Sequence, residues 1–339
     1  MRRRVSIKDV AREAGVSLGT VSNVLNRPET VAPPTRARVQ GVIDRLGYIR
    51  SEGARQLHGM ASRMVAVLAP DASDPFFTAL STCVEQAARE ADLGLLVGTG
   101  TRDPAEADRY LSLIASHRIR GAVLGPGHGA AHVIAVFNRQ AIPYVVIDRD
   151  VPPATSCSVR IDDAAGGRAA ARHLIEQGHR SIAYVSGPDA LRQVREVRRG
   201  AVVAVARAGL TPSALQELPC PRLTLGAGRD AGQRILGQAR RPTAVLCADD
   251  LLALGVMQSL YEAGLRVPDD IAVIGYGDTQ IAASAVVPLT SVRRPAAATG
   301  VRAGRLLIEE TGTRHEHQHV VIQPELFVRH SSRARATAH

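Results

Sequence analysis

Two groups of residues in this chain have the types and spacing to do recognition chemistry. The first lies in residues 17–26, SLGTVSNVLN. On a helix, Val21, Val24 and Leu25 share one side and can anchor about two and a half turns, which leaves Leu18, Gly19 and Asn23 on the other. The Asn23 amide can pair bidentately with adenine N6 and N7, and Leu18 can pack against a thymine methyl. Gly19 contributes no side chain. Ser17, Thr20 and Ser22 are hydroxyl side chains of the kind that contact phosphates, and Ser6 and Asn26 add two more polar side chains to the group. The second group ends a series of apolar runs: Asp71, Asp74, Thr99, Gly125, Asp148, Asp189, Asp249 and Asp278. Ligands of open α/β sheets bind outside the carboxyl ends of the strands, so these residues predict the rim of a pocket.

The elements that must position the first group are three short helices. From Ser6 the chain reads S-I-K-D, in which Ser6 can cap and Asp9 favours the first turn. Ile7, Val10, Ala11 and Ala14 form a 3.6-residue stripe that stops at Gly15. Ser17 can then cap a second helix through Leu25, and a third begins near Pro33 and Pro34, buries Val39, Val42, Ile43 and Leu46, and stops at Gly47. Helix, glycine-bearing turn, helix is the helix-turn-helix arrangement. Residues 1–63 hold twelve Arg and Lys against five Asp and Glu, a charge of +7, whereas the remaining residues carry +3 of the total +10. A basic head on a nearly neutral body points to a nucleic-acid partner.

The second group is positioned by alternating strands and helices. Apolar runs recur at 65–70, 93–100, 121–127, 144–149, 181–188, 243–250 and 271–278, with amphipathic segments such as 76–91 and 164–177 between them. This pattern predicts an α/β body of parallel sheets. No run approaches the roughly 18 apolar residues of a membrane span, and the basic start leads into an amphipathic helix rather than a signal core. The four cysteines, Cys83, Cys157, Cys220 and Cys247, form no CxxC pair and read as free thiols in a reducing, cytoplasmic setting.

The stretches IKDVAREAGVSLGTVSNVLN and TRARVQGVIDRLGYIR resemble the headpiece of the LacI–GalR family of bacterial transcriptional regulators. GHRSIAYVSGP, PTAVLCADDLLALGVMQSLYEAGLRVPDDIAVIGYGD, PLTSVRRP and LFVRHSS extend the resemblance over nearly the whole chain. It implies a helix-turn-helix headpiece at 1–48 and a hinge at 49–63 that becomes helical on DNA, with Arg55 and a wedging Leu57 in the minor groove. It further implies a periplasmic-binding-protein-like body at 64–339, made of two doubly wound parallel-sheet subdomains. These cover about 64–161 with 293–322, and 162–290 with 326–339. Effector contacts carry over to Asp74, Phe76, Asp148, Asp249, Asp278 and Arg294. Two departures stand out: Val197 occupies the place of a sugar-gripping arginine, for which Arg195 or Arg198 can substitute, and Gly277 occupies that of an aspartate. Arg195 with Arg294 suits a carboxylate or phosphate, so both a sugar-like and an anionic effector remain open.

GPGHGAAH at 125–132 lacks the GxGxxG spacing of a nucleotide loop and reads as a pocket edge. His315, His317 and His319 alternate and can share a face in an extended segment, but they are set aside as metal ligands, and no cofactor is expected. No GxSxG, Walker A or HExxH motif supports an enzyme. The expectation is a homodimeric regulator, a repressor by family habit, that binds a near-palindromic double-stranded operator and responds to a small molecule. Two alternatives are a regulator of the same fold controlled by a protein partner, with a vestigial cleft, and a ligand-binding protein that does not touch DNA.

Overall fold

The computed structural model describes residues 5–49, 62–71, 74–99, 114, 119–126, 130–149, 151–152, 154–312 and 315–333. The chain divides into two units, Met1–Ser62 and Arg63–His339.

The first unit is built from helices α1 (Ile7–Ala14), α2 (Leu18–Asn26) and α3 (Pro33–Leu46). Most of these boundaries have a local cause. Ser6 caps α1 and closes a reciprocal box with Asp9, whose carboxylate accepts the Ser6 backbone N–H at 3.0 Å. Such a cap contributes about 1 kcal/mol. Gly15 and Gly47 end α1 and α3 in the left-handed region, both at φ 61°, where a side chain would be strained. Ser17 caps α2 by accepting from Thr20 N–H at 3.1 Å. The helices close on Val10, Ala11, Ala14, Val21, Val24, Val39, Val42 and Ile43, all buried.

The second unit holds two six-stranded sheets. In space the first runs β2 (Gly94–Thr99), β1 (Met64–Ala69), β3 (Ala122–Leu124), β4 (Tyr144–Ile147), β5 (Cys157–Ile161), β11 (His319–Ile322), all parallel. The second runs β7 (Leu215–Pro219), β6 (Ile182–Ser186), β8 (Ala244–Cys247), β9 (Ala272–Gly277), β10 (Thr290–Arg293), β12 (Glu325–Phe327), parallel except for the last pair. The two orders are the same when each sheet is counted from its own first strand, so the sheets are topological copies except that the last strand is parallel in the first and antiparallel in the second. The order reverses between β1 and β3 in one and between β6 and β8 in the other, which places a ligand crevice at each reversal. The chain passes between the sheets three times: after β5, after β10 and after β11.

Helices α4 (Pro75–Glu90), α5 (Ala130–Arg139), α6 (Asp163–Glu176), α7 (Arg192–Arg207), α8 (Leu225–Leu236), α9 (Asp250–Glu262), α10 (Gln280–Ala283) and α11 (Ala296–Glu310) flank the sheets. One face of the first sheet packs Val65, Val67, Val145 and Val159 against Leu80 and Val84 of α4 and Leu306 and Leu307 of α11. The other packs Ala66, Leu124 and Val146 against Phe137 of α5. A single larger core fills the second lobe, from Ala170 to Val292. Helices α6 and α7 approach so closely that a Cβ on Gly200 would lie 2.0 Å from the Ala164 carbonyl oxygen. No helix among the described residues is long and apolar enough to cross a membrane.

Candidate functional site

Helix α2 is anchored by one face and bare on the other. Val21 and Val24 are buried, while Leu18, Gly19 and Asn23 are exposed, Leu18 at 45%. Leu18 is not among the side chains packed on the bundle's core. Ser17 and Thr20 hydrogen-bond each other at 2.9 Å, and Asn26 donates to the Ser22 hydroxyl at 3.1 Å. These side chains therefore stand beside the bare face already oriented. Ser6 spends its hydroxyl on the cap of α1. Arg55 and Leu57, and the proposed hinge around them, lie outside the described residues.

In the second unit a cleft of about 1330 Å³ opens between the carboxyl ends of the two sheets. Asp74, Phe76, Asp148, Asp249, Asp278 and Arg294 all line it. Arg195 does not: it is exposed and donates to the Asp189 carbonyl, because α7 turns that position outward. Arg198 is held at the edge of the second sheet by Glu217 at 3.1 Å and Asp189 at 3.5 Å. Val197 is fully buried against α6. The arginine and amide that α7 sends into the cleft are Arg192 and Gln193 of its first turn. The sequence signal for them was position: the first turn after a strand end faces the crevice, whereas Arg195 and Arg198 lie farther along the helix.

The lining residues differ in what they can offer a ligand. Arg294 is buried, bonded to the Asp148 carboxylate, 3.5 Å from Asp163, and stacked 4.2 Å over the Phe76 ring. Burial opposes its charge, but Asp148 and Asp163 outweigh that and raise its pKa. Asp163 follows the first crossing; it accepts from the Tyr276 hydroxyl at 2.9 Å and lies 3.7 Å from Arg192. Burial lifts the Asp163 carboxyl to about 6 even though Arg294 pulls the other way. These groups tie β4, the first crossing, β9 and the second crossing together, so Arg294 is a lobe-to-lobe brace rather than a free anion binder.

Asp148 and Asp278 occupy equivalent places after β4 and β9, and both adopt left-handed backbone, at φ 51° and 52°. Aspartate tolerates that region better than most residues. The buried Asp250 holds the second turn by accepting from Thr279 N–H at 2.7 Å and from Ser291 Oγ at 2.6 Å. The Asp278 carboxylate is buried between Arg293 at 2.7 Å and Arg329 at 2.6 Å. Asp148 and Asp278 are therefore already partnered.

Asp74 and Asp249 keep acceptor capacity toward the cleft. Each gives one oxygen to a helix start: Asp74 accepts from Phe76 N–H at 2.9 Å, and Asp249 from Leu251 N–H at 2.7 Å. Neither is in an ion pair among the described residues. Burial raises both; Asp249, with Asp250 beside it, reaches about 7.

At the opposite edge of the first sheet, His315 and His317 meet Cys157 and Glu310, while His319 turns away to Ser158.

A bare-faced helix-turn-helix bundle joined to a two-lobed body with a cleft at the sheet reversals is the plan of a DNA-binding transcriptional regulator. Residues 6–51 match the model of bacterial regulatory proteins of the lacI family, and residues 171–332 match that of a periplasmic binding protein-like domain. The chain belongs to the LacI family. It is 32% identical over 336 residues to the HTH-type transcriptional regulator DegA of Bacillus subtilis (strain 168), which covers 97% of this chain and 98% of DegA. Among solved structures it is similar to the complex of the transcriptional regulator CelR with cellobiose, at 31% identity and TM-score 0.72 over 97% of this chain and 100% of that one. It is also similar to the lac repressor dimer bound to operator and the anti-inducer ONPF, at 26% identity and TM-score 0.83 over 98% and 100%. These relatives are regulators, and this chain is one too, not an enzyme.

Proposed function

We propose that this protein is a transcriptional repressor that binds a near-palindromic operator as a homodimer and releases or grips it according to a sugar-like effector in the cleft. In this reading residues 1–48 read DNA through Leu18, Gly19 and Asn23, residues 49–63 are the hinge that carries Arg55 and Leu57 to the minor groove, and residues 64–339 sense and dimerise. Two half-sites follow from two-fold symmetry.

The observation that carries the effector class is the state of Arg294. Its guanidinium is bonded to Asp148 and lies 3.5 Å from Asp163, so two carboxylates offset its charge, and the cleft presents Asp74 and Asp249 as acceptors. Carboxyl groups exchange hydrogen bonds with hydroxyls in either protonation state, and their ionised form repels anions, so a neutral polyhydroxyl compound suits the cleft better than a carboxylate or phosphate. Gln193 and Arg192 can donate to its oxygens. The similarity to a regulator solved with cellobiose supports the same class. A cleft this open also speaks against a vestigial one, since ordinary small-molecule pockets span roughly 300–1,000 Å³.

The test is selection of bound duplexes from a random library by the full chain at stated salt, followed by competition with neutral sugars and with sugar acids and phosphates. The expected result is a near-palindrome whose binding only neutral polyols alter. At a hundredfold excess over Kd such a ligand also stabilises the body by about 2.7 kcal/mol. A response confined to anions would refute the effector assignment. Recovery of no motif would refute the operator assignment.

A further inference from the structure

We propose that Cys157, Glu310, His315 and His317 form a binding site for one divalent cation of the zinc class, on the body edge opposite the cleft. Cys157 opens β5, Glu310 closes α11, and the two histidines lie just ahead of β11. Each offers one ligand atom, and these four atoms lie within 4.8 Å of one another. The Cys157 Sγ is 2.9 Å from His315 Nε2, and Glu310 Oε1 is 2.8 Å from His317 Nδ1 and 3.9 Å from His315 Nε2. In a tetrahedral zinc site of these donors the ligand atoms stand about 3.2–3.6 Å apart, from metal distances of about 2.0–2.3 Å. Small side-chain rotations convert one arrangement to the other.

The donor set decides the ion. One sulfur, two imidazole nitrogens and one carboxylate oxygen suit Zn²⁺, whereas Ca²⁺ and Mg²⁺ take oxygen ligands. The surroundings have the features of a supported site. Gln318 N–H donates to the Cys157 sulfur at 3.1 Å, and Cys157 N–H donates to Glu310 Oε1 at 2.8 Å. The Glu309 carboxylate lies 3.6 Å from His315 Nδ1, where it can fix the ring so that Nε2 faces inward. Cys157 is fully buried and Glu310 nearly so, while His317 at 27% side-chain exposure leaves an entry path.

The sequence pattern offered His315, His317 and His319 as a trio, but the fold assembles a different set. Parallel pairing of β11 with β5 sets His319 against Ser158, where it makes a 2.8 Å hydrogen bond, and brings Cys157 to the other two histidines. An ion here would clamp β5, α11 and the approach to β11. Those three elements are the first-lobe ends of the three crossings.

The full chain, stripped with a chelator, is titrated with Co²⁺ and then Zn²⁺. The expected result is one equivalent of tetrahedral Co²⁺ with a thiolate-to-cobalt charge-transfer band, displaced by Zn²⁺. Cys157→Ser abolishes the band, His317→Gln weakens binding at least about tenfold, and His319→Gln changes neither. Circular dichroism checks that each variant is folded; if Cys157→Ser does not fold, His317→Gln decides. Absence of the band, its survival in folded Cys157→Ser, or unchanged affinity in His317→Gln would overturn the assignment.

Discussion

Replacing Arg294 with Gln removes the guanidinium shared by Asp148 and Asp163, whose side chains are 4% and 0% exposed. Breaking a buried ion pair from one side costs about 3–5 kcal/mol, against a total stability of about 5–15 kcal/mol. The structure places the cost at the lower end. Asp148 keeps the Ile161 N–H at 3.1 Å, and Asp163 keeps the Tyr276 hydroxyl and the more distant Arg192. About 3 kcal/mol at pH 8 is the expected loss. The sign of its pH dependence follows from the acids. The Asp163 carboxyl already sits near 6 with Arg294 present, and without that charge it rises further. An acid whose folded value lies above its unfolded one stabilises the fold at low pH and loses that contribution as pH rises through the folded value. The variant should thus lie closer to the parent at pH 5 than at pH 8. The chain contains no Trp, so urea unfolding is followed by far-ultraviolet circular dichroism at both pH values. Adding Asp148→Asn to the variant should cost less than the two single effects summed, by about 1 kcal/mol or more. A loss under about 1 kcal/mol at pH 8, equal at pH 5 and additive with Asp148→Asn, would refute the brace and mean that water screens these charges.

Three further substitutions have expected outcomes. Asp249 rises to about 7 through burial and the neighbouring Asp250, so its contribution to stability is complete below its unfolded value and disappears as pH climbs through 7. The melting temperature should therefore fall between pH 5 and 8, and Asp249→Asn, which keeps an acceptor for Leu251 N–H, should flatten the upper part of that fall. Gly200→Ala forces a methyl onto the Ala164 carbonyl and should cost about 3 kcal/mol, whereas Gly41→Ala, with nothing within 4 Å in α3, should stabilise by about 0.5–1 kcal/mol. Denaturant midpoints of the two variants check both signs.

The headpiece was legible almost to the residue because five of its six helix ends have a local chemical cause: Ser6 with Asp9, Gly15, Ser17, Pro33 and Gly47. The apolar runs likewise marked seven strands, six inside their sheets and β2 at an edge, to within three residues. Strand β5 escaped because Ser158 and Arg160 interrupt its hydrophobic reading, and β7 because Gln216 and Glu217 face solvent on a sheet edge. At the cleft, acidic strand ends showed where the rim lies but not which carboxylates remain open. That depends on partners far away in sequence, such as Arg294 for Asp148 and Arg329 for Asp278. Arg195 misled for a similar reason: spacing gives a residue's face on its helix only after the helix start is known, and α7 begins at Arg192. The Cys157 cluster spans more than 150 residues and exists only through the pairing of β5 with β11.

The last crossings also bear on the order in which the lobes can be finished during synthesis. Strands β6 to β10 of the second sheet emerge as one continuous stretch, Ile182 to Arg293. The first sheet waits much longer for its closing pieces, because α11 supplies Ala303, Leu306 and Leu307 to a face whose other members include Val65 and Val67. At about 5–20 residues per second, that face stays open for roughly ten to fifty seconds after β1 has left the ribosome. The second sheet has five of its six strands together by Arg293 and lacks only β12, so the lobe translated first spends the longer time with an open core.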